Sequence, residues 1–101
     1  MRASWPAKDP AESLVAGFDF TAELDTGETI ASALCSIAVL SGVDPSAASV
    51  LFGSPTIAGG VVLQPFHAGV NGVTYTLRCV ATLTPTGRVL VLAANLPVRT
   101  A

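Results

Sequence analysis

The sequence is poor in the residues that chemistry requires. It has one histidine, one tryptophan and two cysteines, and charged residues make up only 12% of its 101 positions. Hydrolysis or group transfer needs a nucleophile beside a base, a pair of carboxylates or a metal. His67 stands in Gln64-Pro65-Phe66-His67-Ala68-Gly69, which reads as a loop, with no second histidine and no carboxylate near it in sequence. One imidazole does not make a metal site, so His67 reads as a structural or surface residue. Gly59-Gly60 and the pair Gly69 and Gly72 lack both the strand-to-helix setting and the Lys-Ser/Thr of a phosphate loop, and read as turns. The chain is therefore expected not to be an enzyme, with no catalytic residue, no metal site and no cofactor.

Basic charge is equally scarce. Arg2, Lys8, Arg78, Arg88 and Arg99 are scattered, and the net charge is -2. Nucleic acid is not an expected partner, because phosphate binding needs clustered Lys and Arg. Long apolar runs are missing too: Gly and Pro break every stretch before the ~18 to 20 residues that span a bilayer. After Met1 there is no apolar run of signal-peptide length, so a soluble chain made in the cytosol, without membrane association, is expected.

What is present is apolar and short-patterned. Half of the residues are apolar and the mean hydropathy is +0.61, more than a domain of one core needs, so partners are expected to cover part of the surface. Pro6, Pro10 and the polar residues between them predict an extended arm over residues 1–13. Alternation over Gly17–Leu24 predicts a strand, and Asp25-Thr26-Gly27-Glu28 a turn. The run from Thr29 to Leu40 reads as a strand from its length, its β-branched Ile30, Ile37 and Val39, and its abrupt end at Ser41-Gly42-Val43-Asp44-Pro45. Residues 46–62 hold one or two short strands and a loop. Beyond Gly69-Val70-Asn71-Gly72, the residues Val73, Tyr75, Leu77, Cys79, Ala81 and Leu83 fall on one face of a long strand. Pro85-Thr86-Gly87 then turns it into an antiparallel neighbour over Arg88–Val98.

These signals predict an all-β fold, an immunoglobulin-like antiparallel β-sandwich over residues 14–101 behind the arm. Tyr75 stands where such folds often place a tyrosine that bonds back to the preceding corner, although an ordinary core-edge aromatic fits as well. Cys35 and Cys79 both fall on inward faces. In a secreted sandwich they would suggest a disulfide between the sheets, contributing about 4 kcal/mol in the chain-entropy estimate; in a reducing cytosol they read as two buried thiols. Trp5 either docks on the core or anchors the arm on a neighbouring subunit.

Two stretches resemble a known family. They are Trp5-Pro6-Ala7-Lys8-Asp9-Pro10-Ala11-Glu12 with Phe18-Asp19-Phe20 and Gly27-Glu28-Thr29-Ile30-Ala31-Ser32, and Gly69-Val70-Asn71-Gly72-Val73-Thr74-Tyr75-Thr76-Leu77 with Thr86-Gly87-Arg88. In order and spacing they are similar to small phage structural proteins called fibre-tail adaptors, over nearly the whole chain. The resemblance implies an immunoglobulin-like virion component, assembled in the bacterial host cytoplasm. It would be an adaptor joining tail or head-to-tail connector components to fibres or neighbouring rings through protein–protein contacts. The partners it implies are other phage virion proteins and copies of itself in a homo-oligomeric ring. That family usually has tryptophan where Cys35 stands and polar residues where Val89-Leu90-Val91-Leu92 stand. A last strand apolar on both faces suggests cover by another subunit. The expected interface residues are thus Trp5, Pro6, Lys8, Asp9 and Pro10 of the arm, with Val89, Leu90, Val91 and Leu92. The alternative function is a carbohydrate- or cell-surface-binding sandwich module, which usually shows exposed aromatics or an acidic Ca²⁺ cluster.

Overall fold

The computed structural model describes residues 2–4 and 8–100, the first three by their backbone. Among these, the strands are β1 (Arg2–Ser4), β2 (Leu14–Asp19), β3 (Thr29–Ser41), β4 (Thr56–Ala58), β5 (Val61–Phe66), β6 (Thr74–Thr84) and β7 (Val89–Pro97). They form two sheets, in the orders β1-β7-β6-β3 and β2-β5-β4. Pairing is antiparallel except where β1 runs parallel to β7. With β2, β5 and β4 as strands B, E and D, and β7, β6 and β3 as G, F and C, this is the strand order of an immunoglobulin sandwich.

The core lies between the inner faces. Phe18, Val62 and Phe66 of the smaller sheet meet Tyr75, Leu77, Cys79, Ala81, Leu83 and Leu96 of the larger one. The period-2 face predicted for β6 is the buried one along its whole length. At about 3.4 Å per residue, the 13 residues of β3 account for the long dimension of a domain measuring 43 × 22 × 22 Å.

Two elements differ from expectation. The strand predicted over Gly17–Leu24 instead ends at Asp19, because Thr21–Glu23 closes a 3-10 turn in which the Asp19 carboxylate accepts a bond from Thr21 N–H at 2.9 Å. Residues 64–66, read as loop, complete β5 despite Pro65. The Pro65 carbonyl faces Phe52 N–H, on the side away from β2, so the proline nitrogen interrupts no β2 ladder bond.

Register fixes which way each backbone group of the larger sheet points. Leu83 N–H donates to Arg88 O, and Val98 N–H donates to Val73 O. With the β6–β7 register unbroken between these points, the odd-numbered residues of β6 turn their backbone groups to β7 and the even-numbered ones to β3.

Tyr75 makes the corner. It is fully buried; its hydroxyl accepts a bond from Val70 N–H at 2.9 Å and donates one to Asp44 Oδ2 at 2.6 Å. Burial and the bond to Asp44 push the hydroxyl above its ordinary value of 10.0. Gly69 lets the loop close on this ring: at φ +98, its absent Cβ would stand 3.0 Å from Val98 Cγ2 and 3.5 Å from Tyr75 Cε2. Tyr75→Phe removes both bonds and strands the Val70 N–H. It is expected to cost about 1 to 2 kcal/mol, read as a lower midpoint in thermal unfolding.

Candidate docking surface

The most distinctive sequence motifs serve as fasteners of the fold. Lys8 is 1% exposed. Its ammonium donates to Ala68 O at 2.7 Å and to Asp9 O at 2.8 Å, while its backbone donates to Pro97 O and accepts from Arg99 N–H. Desolvation draws its pKa below 10.5. Asp9 and Glu12 close a turn around the half-buried Pro10: Asp9 N–H donates to Glu12 Oε1 and Ala11 N–H to Asp9 Oδ1, each at 2.8 Å. Lys8, Asp9 and Pro10, expected as interface residues, are therefore tied to the domain itself. Trp5 and Pro6 lie outside the described residues.

The Gly27-Glu28 turn and the Thr86-Gly87-Arg88 hairpin meet in the same way. Arg88 Nε donates to Glu28 Oε2 at 3.0 Å and its Nη2 to Oε1 at 2.5 Å. Thr86 Oγ1 donates to the same carboxylate, and so does Asp25 N–H, at 2.8 Å. The Arg88 bonds first, then those from Thr86 and Asp25, hold Glu28 at a pKa of about 2 instead of 4.5. A carboxylate with a depressed folded-state pKa contributes stability that is complete above its unfolded value and lost as pH falls through the folded one. Unfolding free energy should therefore decline from about pH 4.5 towards pH 2 through this group. Glu28→Gln should remove that component of the acid limb in a pH series of denaturant titrations.

The remaining candidates for chemistry are also engaged. His67 Nε2 lies 3.0 Å from Ser49 O, and its ring packs on Phe52 with centroids 4.3 Å apart. Among the described residues, no three His, Cys, Asp or Glu side chains cluster as metal ligands. Cys35 and Cys79 do not bridge the two sheets. They are free thiols, opposite one another on neighbouring strands of one sheet.

The open surface lies along β7 and across the outer face of its sheet. Leu90 and Leu92 point inward and pack against the core, whereas Val89 and Val91 point outward, 57% and 39% exposed. By parity, the backbone groups of Val89 and Val91 also face away from β6. The β1 ladder begins only at Ala93, so no described strand pairs them. Val91 stands opposite Val80, and Val80 opposite Leu34, which is 70% exposed. An apolar row thus crosses the sheet from its β7 edge to its β3 edge. On the β3 edge, Ala33, Cys35, Ile37 and Val39 also turn their backbone groups away from β6, no described strand pairs with them there, and β3 has no charged residue along it. Val80 and Leu34 were not among the residues expected at an interface. Val80 shares its face of β6 with Thr76, Arg78 and Thr82, and the apolar run around Leu34 hides its alternation.

An immunoglobulin-type sandwich whose polar side chains fasten its own loops, and whose outer face carries the exposed Val91 and Leu34, is an all-β structural domain. Sequence comparison agrees: residues 8–97 match the family described as podophage GP4 fiber-tail adaptor protein gp77, and the chain belongs to that family. No curated protein and no solved structure gives a significant match.

Proposed function

We propose that this chain is a non-enzymatic adaptor of the phage virion. In this reading it joins tail or head-to-tail connector components to fibres or neighbouring rings, by contacts through the β7 edge and the row Val91, Val80 and Leu34. Membership of a fibre-tail adaptor family supports the role. The observation that carries the location is the coincidence, at Val89 and Val91, of exposed apolar side chains with backbone groups that no described strand pairs. Extended segments bind such edges through main-chain bonds, and alternate side chains supply selectivity. The protein would take its place in the particle during assembly in the host cytoplasm, as several copies in a ring.

The test is co-sedimentation of the purified protein with the separately purified connector, tail and fibre proteins of its phage. Capture by at least one of them is the expected result, and a folded protein left in the supernatant with all of them would overturn the reading.

A further inference from the structure

Cys35 and Cys79 are Cα partners in the β3–β6 ladder. Cys79 is odd-numbered, so its backbone groups turn to β7, and the Cys35–Cys79 pair is of the non-hydrogen-bonded kind, in which the side chains come closest. The Cα separation of such pairs, about 4.5 Å, falls inside the span of about 4.4 to 6.8 Å that a disulfide bridges. Both side chains lie on the inner face of the sheet. Cys79 is completely buried, while Cys35, on the open edge strand, is partly accessible.

We infer that Cys35 and Cys79 form a thiol–disulfide exchange site, which a low-molecular-weight disulfide enters at Cys35 and leaves with β3 and β6 covalently joined. In the first step the Cys35 thiolate attacks one sulfur of the small disulfide RSSR. The S–S bond breaks, RS⁻ departs, and Cys35 carries a mixed disulfide. In the second, Cys79 loses its proton and attacks the Cys35 sulfur, releasing a second RS⁻. Two protein thiols are oxidised to one disulfide, RSSR is reduced to two thiols, and the two protons released by the protein end on them or on solvent. The order follows from access, and the electrostatics agree with it. The bond between the thiols draws Cys35 below the ordinary 9.0, while the same bond pushes Cys79 up. The entering nucleophile is therefore the more acidic and more accessible thiol, and the resolving one waits behind it.

The probe is oxidised glutathione added to the folded, reduced protein, with acid quenching, intact mass and peptide mapping under non-reducing conditions. The expected product is lighter by two hydrogens and yields one peptide pair joined through Cys35 and Cys79. Early quenches should show glutathione on Cys35 before the bridge appears, an observation that needs no variant. Cys79→Ser should stop at a stable glutathione adduct on Cys35, and Cys35→Ser should lose at least tenfold in rate. A wild-type protein that stays fully reduced, that ends as a stable adduct, or that is first modified at Cys79 would overturn the inference.

Discussion

Removing residues 1–12 is expected to destabilise the domain by about 3 to 5 kcal/mol, whereas removing residues 1–7 should cost no more than about 2. The shorter deletion takes away β1, whose described ladder with β7 is three residues long. The longer one also removes Lys8. With it go two backbone bonds, to Pro97 and Arg99, and a buried ammonium held on two carbonyls, one of them Ala68 O. Ala68 O and the backbone groups of Pro97 and Arg99 then lose their partner together. Urea unfolding of the two truncations, compared at equal m-value, measures the difference. Equal midpoints would mean that Lys8 fastens nothing. The shorter truncation also removes Trp5 and Pro6, so its binding to the tail or fibre protein, measured below its own melting midpoint, reads what those residues do in assembly.

The largest effect on association is expected from the double substitution Val89→Lys and Val91→Lys. Both side chains are exposed, so the free domain should melt no more than about 4 to 8 °C below the wild type, as two surface changes of about 0.5 kcal/mol or less each imply. In the complex, two ammonium groups would lie in an apolar contact without partners. Leaving a charge buried and unpaired at an interface costs about 2 kcal/mol or more, so affinity for the tail or fibre protein should fall by about 100-fold or beyond measurement. Val80→Lys, in the middle of the outer face, should weaken binding if the partner covers the face. It should leave binding unchanged if the partner only extends the β7 edge. Undiminished binding of the Val89/Val91 double variant would place the docking surface elsewhere, and the β3 edge would be the next surface to vary.

The sandwich was legible because its long strands alternate cleanly. Val73 to Leu83 announced both the β6 strand and its buried face, and Pro85-Thr86-Gly87 announced the hairpin. For Tyr75 its position after an Asn-Gly turn suggested a corner residue and an ordinary core-edge aromatic alike, and only the contacts of its hydroxyl with Val70 and Asp44 decide for the corner. The smaller sheet was harder. Pro65 in β5 argues against a strand unless the side of the ladder that its nitrogen faces is known, and that is a tertiary fact. The fastening of Lys8 was hidden for a related reason. Only the approach of Ala68, far along the chain, brings a second carbonyl to its ammonium. The cysteines gave their inward orientation but not their pairing, because whether they fall on one sheet or two depends on strand order. Of the proposed docking surface, Val89 and Val91 were visible as an excess of apolar residues, while Leu34 and Val80 became visible only when register laid them in one row.

The parallel course of β1 beside β7 has a mechanical consequence. Two strands that run the same way carry their free ends to opposite ends of the seam. The Lys8–Val98 bridge continues that seam in the same sense. A pull between the two ends of the chain therefore loads these bonds side by side, in shear, so that several must break together. An antiparallel seam pulled open from one end would yield a bond at a time. Force spectroscopy on the protein held by residues at either end of this seam would measure the difference.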